Sequence, residues 1–247
     1  METLLLDSNT WLLVLTGAGV SAESGVPTFR GMNGLWEDQP VEQVASPEGF
    51  AKDPLRVWRF YSQRRAGAAG VSPNPGHDAL VAWERHLGDR FLLATQNVDG
   101  LHSRAGSQRV VEMHGNLFKT RCSNDECKRA PFDDTTVYPA GTVPGCKDCG
   151  GLLRPHIVWF GEYLDPADLE RIQDFSLRAA SSGGRFVFLA AGTSGAVYPA
   201  AGMVDQVRGA GGETWLVNLD PAENSRRFQH SVQGKSGEVL PKLGRLV

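Results

Sequence analysis

Gly17-Ala18-Gly19-Val20-Ser21-Ala22-Glu23-Ser24-Gly25-Val26-Pro27-Thr28-Phe29-Arg30-Gly31 decides how the 247-residue chain is read. Just before it, Trp11-Leu12-Leu13-Val14-Leu15-Thr16 is a short apolar run suited to a buried parallel strand. A strand therefore ends at Thr16, and the chain turns on Gly17 and Gly19. Glycines there permit positive φ and let a phosphate come close to the backbone. Ser21 is a good N-cap and predicts a helix directly after it. Strand, glycine turn and helix N-terminus together suit a dinucleotide. The strict fingerprint is not met, because Ala22 only loosely replaces the third glycine and no acidic residue ends a second strand about twenty residues on. From the glycines alone, a tight turn without a ligand is an equal reading.

Working outward, length and charge bound the possibilities. The chain suits one large domain, or one domain with a small insert, and can bury a real core. A net charge of −3 gives no basic field for nucleic acid. No apolar run approaches the roughly eighteen residues of a membrane span. Met1-Glu2-Thr3-Leu4-Leu5-Leu6-Asp7 has no basic segment and carries acids, so no secretory or mitochondrial signal is read there. Four clustered cysteines are too few for a disulfide scaffold and point to metal in a reducing compartment. A cytoplasmic monomer, without nucleic-acid or membrane partners, is expected.

Along the chain, Met32-Asn33-Gly34-Leu35-Trp36 is a loop that could fold over a ligand or simply be anchored by Trp36. Pro54 to Ala69 predicts a helix, with Pro54 in the first turn. Tyr61 and Arg64 are three apart and share a face. A phenol beside a guanidinium would clamp a carboxylate, and a core tyrosine beside a solvated arginine is the plainer reading. Ser72 to Gly76 is a turn cluster, and His77 to Leu87 an amphipathic helix in which His77 bonds locally. Phe91-Leu92-Leu93-Ala94-Thr95 is a second buried strand, ending in Gln96-Asn97-Val98-Asp99-Gly100. Polar groups at that strand end either line a ligand crevice or make a turn into a helix. A third strand, Arg109 to Met113, is followed by His114-Gly115, where a histidine can act as a base or be structural.

Cys122-x4-Cys127 and Cys146-x2-Cys149 form a strong zinc signal. Four thiolates with no water position make the ion structural. A redox role for Cys146 and Cys149 is opposed by the partner pair. Asp125, Glu126, Asp133 and Asp134 cancel the charge of Lys128 and Arg129, which argues against a nucleic-acid ribbon. Arg154 to Glu162 is an apolar return strand, in which burial alone could explain Val158 and Phe160. Pro166 to Ala180 is a helix. Phe186 to Ala191 is a fourth strand, ending in Gly192-Thr193-Ser194, with a helix from Pro199. Thr214 to Asn218 is a fifth strand, closing on Asn218-Leu219-Asp220. The fourth strand, its Gly-Thr-Ser end and the helix after it form a second place where backbone N–H groups and hydroxyls can hold phosphate or ribose oxygens.

The fifteen positions from Gly17 to Gly31 resemble the NAD-binding signature of the sirtuins, the NAD-dependent protein-lysine deacylases. Gln96 to Asp99, His114 and the cysteine pairs match the same family, so the resemblance spans about Leu12 to Leu243. It implies an α/β fold: a Rossmann-like parallel sheet with helices on both faces at 1–116 and 158–247, and an inserted zinc module at 117–157. It implies that NAD is held by Gly17, Ala18, Gly19, Ser21, Ala22, Glu23, Thr28, Phe29, Arg30 and Trp36. Gln96, Asn97, Val98 and Asp99 would line the ribose and nicotinamide pocket. Gly192, Thr193, Ser194, Asn218, Leu219, Asp220 and Ser236 would contact the adenosine half. His114 is implied as the catalytic base and Asn97 as a second catalytic residue.

Val158, Phe160, Gly161 and Glu162 would pair with the extended acyl-lysine peptide, which is the implied partner. Tyr61 and Arg64 match the pair of the class that removes succinyl, malonyl and glutaryl groups. NAD is consumed, giving nicotinamide and O-acyl-ADP-ribose, and one zinc is structural. The competing readings are a nicotinamide oxidoreductase, a mono-ADP-ribosyltransferase, a zinc-ribbon binding module, and a plain deacetylase if Tyr61 and Arg64 form no clamp.

Overall fold

The computed structural model describes residues 2–27, 35–36, 39–195 and 200–247, with the backbone alone at 35–36. Strands β1 (Leu4–Leu6) and β2 (Thr10–Thr16) lead into helix α1 (Ala18–Ala22) and the short strands β3 (Leu35–Trp36) and β4 (Gln39–Pro40). Helices α2 (Val41–Val44), α3 (Pro47–Lys52), α4 (Pro54–Ala69) and α5 (Pro75–Leu87) follow. Next come β5 (Phe91–Thr95), α6 (Leu101–Ala105) and β6 (Val110–Glu112), then β7 (Gly115–Cys122), β8 (Phe132–Asp133) and β9 (Leu153–Ile157). The chain ends with α7 (Pro166–Ser181), β10 (Arg185–Ala191), α8 (Met203–Gly209), β11 (Glu213–Asn218), β12 (His230–Gln233), α9 (Ser236–Leu243) and β13 (Gly244–Leu246).

Among the described residues, six strands form one parallel sheet in the order β12-β11-β10-β2-β5-β6. From β2 the chain steps outward through β5 and β6, then returns to β10 and steps the other way. A crevice therefore opens over the C-terminal ends of β2 and β10, where open α/β sheets bind ligands. Alternate residues of β2 serve opposite faces. Leu12 and Val14 pack with Leu80 and Trp83 of α5 and Leu240 of α9. Leu13 and Leu15 pack with Ile172 and Phe175 of α7 and Val204 of α8. Burial on both faces is why these strands read as continuous apolar runs. Strand β12 is a correction to the expected five. Its residues His230-Ser231-Val232-Gln233 lie at the sheet edge, alternately half-buried and exposed, and carry no such run.

A third core joins α2–α4 to the antiparallel sheet β8-β7-β9. Val44, Phe50, Val57, Trp58 and Tyr61 pack there with Leu117, Leu153, Ile157 and Trp159. The predicted Pro54–Ala69 helix is α4, started by Asp53, whose Oδ1 accepts from the Arg56 N–H at 2.9 Å. The other predicted long helices are α5, which begins earlier at Pro75, and α7. Pro199 lies outside the described residues.

Arg65 of α4 is fully buried against β7. Its Nε donates to Leu117 O at 2.6 Å, and Nη1 donates to Asp134 Oδ2 at 3.0 Å and to Thr136 O at 2.9 Å. Nη2 donates to Lys119 O at 3.2 Å and to Thr120 Oγ1 at 2.8 Å. Burial alone would raise the Asp134 pKa, but hydrogen bonds from Thr120 and Thr136 and the Arg65 charge hold it down at about 2. Removing one member of such a pair strands a buried charge. Arg65→Met is expected to cost about 3–5 kcal/mol in denaturant unfolding. Because the Asp134 pKa is depressed on folding, its stabilisation is full above 3.8 and is lost as pH falls through about 2. Unfolding curves across that range check this against Asp134→Asn.

Candidate active site and zinc centre

The loops after β2 and β10 meet backbone on backbone. Gly17 N–H donates to Ala191 O at 3.0 Å, and Gly19 N–H to Gly192 O at 2.8 Å. A Cβ on Gly17 would lie 2.6 Å from Gly192 O, and one on Gly19 2.7 Å from Gly192 Cα. The expected positive φ is not what selects these glycines, since Gly17 has φ −120° and the positive value, +61°, belongs to Gly192. Lack of room selects them. Ser21 is likewise not the N-cap. Gly17 starts α1, and Ser21 lies inside the helix, fully buried.

A connected set of polar side chains surrounds this contact. Asn97 Nδ2 donates to Gly17 O at 3.0 Å and to Ser21 Oγ at 3.1 Å. Thr193 Oγ1 donates to Gln96 Oε1 at 2.9 Å, and Asn218 Nδ2 to Thr193 O at 2.9 Å. His114 Nδ1 lies 3.1 Å from Gln96 O. A carbonyl only accepts, so Nδ1 carries the proton and Nε2 keeps its lone pair. Burial lowers the His114 pKa below the ordinary 6.5, which keeps the ring neutral. Asp99 is buried, and its Oδ1 accepts from Leu101 N–H at 2.9 Å, so it makes the turn into α6.

The remaining predicted ligand residues sit around this set. Ala18 is half-buried and Ala22 exposed. Glu23 accepts at 2.8 Å from Gly237 N–H, tying the glycine turn to α9, whose first residue is the buried Ser236. Val98 O accepts from Leu117 N–H. Ser194, Leu219 and Asp220 are exposed at the ends of β10 and β11. Thr28, Phe29 and Arg30, and the Trp36 side chain, lie outside the described residues.

Several groups in the site carry no motif. Thr16 Oγ1 lies 2.8 Å from both Thr95 Oγ1 and His102 Nε2. Burial pushes His102 down to about 3, and His77 is also lowered by burial, so the two rings, 4.8 Å apart, are a neutral pair. Asn74 caps α5 and also donates to Val20 O at 2.8 Å and Ser24 Oγ at 3.0 Å. In the sequence, Ser72 to Gly76 reads as a turn cluster, which gives neither this cap nor its reach.

Tyr61 is buried, and Arg64, half-buried, lies one turn further along α4. Trp159 Nε1 donates to Tyr61 Oη at 2.9 Å, and burial pushes the Tyr61 pKa well up. Strand β9 ends at Ile157, after which Val158 N–H donates to His114 O at 2.9 Å and Phe160 N–H to Ala45 O at 3.0 Å. Phe160 is 55% exposed, so burial does not explain it. Gly161 is exposed, with φ +87°. Glu162 is engaged within the protein, where Arg154 grips it at 2.6 and 2.9 Å and Trp159 N–H donates to it at 2.8 Å.

The sulfurs of Cys122, Cys127, Cys146 and Cys149 all lie within 4.8 Å of one another. Cys122 and Cys149 are 3.5 Å apart, and Cys127 and Cys146 3.9 Å. A tetrahedral zinc thiolate site requires sulfurs about 3.8 Å apart. Asn124 N–H and Gly151 N–H point at the Cys122 and Cys149 sulfurs at 3.4 Å, the donors a thiolate needs. The donor set fits one zinc ion.

A Sir2 family profile matches residues 17–199. A Caulobacter vibrioides protein named NAD-dependent protein deacylase is 46% identical over 235 residues, covering 93% of each chain. The Canis lupus familiaris protein named NAD-dependent protein deacylase sirtuin-5, mitochondrial, is 41% identical over 254 residues, 94% of this chain and 80% of that one. The crystal structure of a Sir2 homologue–NAD complex superposes with a TM-score of 0.84 at 42% identity, covering 94% of this chain and 87% of that one. For the metal centre, thiol modification in the presence of a chromogenic chelator is expected to release one zinc per chain. Cys146→Ala is expected to release none, and its β7–β9 region to unfold.

Proposed function

The chain belongs to the Sir2 family, and on that premise we propose that this NAD-dependent protein deacylase acts on carboxylate-bearing acyl groups of protein lysines. Succinyl, malonyl and glutaryl groups fit this description, with acetyl as a further substrate. The observation that carries the reading is Arg64 one turn from Tyr61, with the Tyr61 hydroxyl held by Trp159 and kept neutral by burial. A neutral phenol donates a hydrogen bond to a carboxylate, and a guanidinium pairs with it bidentately.

NAD, bound over the crevice, supplies a ribose carbon from which nicotinamide leaves, and it is consumed. The glycine turn would hold its pyrophosphate, Asn97 and Asp99 its nicotinamide side, and Asn218 its adenosine side. His114, neutral and with Nε2 unprotonated, takes a ribose hydroxyl proton. The bond from Val158 N–H to the His114 carbonyl supports the reading that the segment pairing with the peptide runs beside that base. The chain's share of catalysis is to position the reactants and exclude water.

Matched succinyl- and acetyl-lysine peptides with NAD, followed by mass spectrometry, test the reading. Arg64→Met is expected to lower kcat/KM for the succinyl peptide about 10- to 100-fold. His114→Ala is expected to lower both reactions at least about 100-fold. NAD cleavage without peptide deacylation would favour ADP-ribosyl transfer, and preference for acetyl with no effect of Arg64→Met would leave a plain deacetylase. Because the His114 pKa is lowered on folding, the acid limb of kcat/KM should lie below pH 6.5, with activity rising as pH rises through it.

A further inference from the structure

We infer that Trp159 is a positioning residue for acyl selectivity: its indole N–H sets the direction in which the Tyr61 hydroxyl donates. The inference rests on the Tyr61–Arg64 reading above and deepens it. An indole N–H can only donate, so the phenol oxygen must accept from it. Both side chains are buried, at 2% and 0% exposure, and the bond is 2.9 Å long. With one lone pair taken, rotation about the phenol C–O bond is restricted and the hydroxyl hydrogen turns away from Trp159. A carboxylate needs a donor, and a hydroxyl set as a donor loses less entropy on meeting one.

Trp159 is itself braced by groups that a substrate-strand reading does not predict. Its backbone N–H donates to Glu162 Oε2 at 2.8 Å, and Glu162 is held by both Nη atoms of Arg154. The same guanidinium covers the indole, its Cζ 3.3 Å from the ring centroid. Arg154 Nη2 also donates to Ile157 O at 2.8 Å, fixing the end of β9. Phe50 packs on the indole with ring centroids 5.5 Å apart. Arg154 and Glu162 thus serve the tryptophan, which serves the tyrosine.

The test compares full-length wild type, Trp159→Phe, Tyr61→Phe and the double variant on succinyl- and acetyl-lysine peptides with NAD. Trp159→Phe keeps a ring and removes the N–H. Its KM for the succinyl peptide, relative to the acetyl peptide in the same preparation, is expected to rise about 3- to 10-fold. Tyr61→Phe should do at least as much, and the double variant no more than Tyr61→Phe. Replacing Trp159 by benzothienylalanine, which swaps the N–H for sulfur in an unchanged outline, should give the same shift even if Trp159→Phe folds poorly. Equal changes for both peptides, or losses that add in the double variant, overturn the inference. Arg64→Met separates it from the reading beneath it. If Arg64→Met abolishes succinyl preference and neither Trp159 replacement alters it, the clamp stands and the inference alone falls. If Arg64→Met has no effect, both fall.

Discussion

The site depends on a contact that leaves no space for a side chain. Where β2 and β10 end side by side, Gly17 and Gly19 press on Gly192, and a Cβ on Gly192 would lie 2.4 Å from Val20 N. The polar groups above the sheet are attached to that contact. Asn97 bonds the Gly17 carbonyl, Thr193 follows Gly192 and reaches Gln96, and Gln96 orients His114 through its own carbonyl. A larger residue at any of the three glycines would separate the two strand ends and misplace groups that never touch it. Positional errors of about 1 Å are costly in reactions that rely on orientation.

A second, smaller body must meet that crevice in register, and two devices secure it. Arg65 ties α4 to β7 and to Asp134 with every guanidinium N–H used, so the helix bearing Tyr61 and Arg64 cannot slide on the zinc strands. The other device is at the junction itself. Gly115 has φ +81°, and a Cβ there would lie 2.1 Å from His156 O, so β7 and β9 pair tightly just beyond His114. The Val158-to-His114 backbone bond continues that pairing. The four converging cysteines lie at the far end of the same small sheet, where a bound zinc would close it; the unit is too small to hold its own core without a metal or a neighbour.

How much of this was legible in the sequence follows from what each element is made of. Strands buried on both faces are apolar throughout, so β2, β5, β10 and β11 could be read directly. The polar edge strand β12 could not. Cysteine spacing reports metal geometry because ligands must fold back on one ion, and the four sulfurs do converge. The neighbouring arginines were not separable, since Arg64 and Arg65 lie three and four residues beyond Tyr61 and share its face equally in a helical count. Only packing shows that Arg65 is the fully buried tie and Arg64 is half-buried. Glu162 is implied as a substrate residue only by the resemblance, and its partner Arg154 lies eight residues back across a bend that no local pattern encodes.

The Arg154–Glu162 pair also bears on why ionic groups sit behind a largely apolar tryptophan. Buried ion pairs return little net stability once desolvation is counted, and an apolar replacement often does as well. What such a pair supplies is direction. Here it fixes both ends of a three-residue bend, by the Ile157 carbonyl at one end and the Trp159 amide at the other, while its guanidinium covers the indole face. The indole N–H is thereby aimed at one oxygen. On the carboxylate-acyl reading proposed above, the anionic group requires donors already in place, because reorganising buried dipoles would consume the energy gained from binding it. A rigid, charged brace behind a neutral hydrogen-bond donor meets that requirement without adding a second charge beside Arg64.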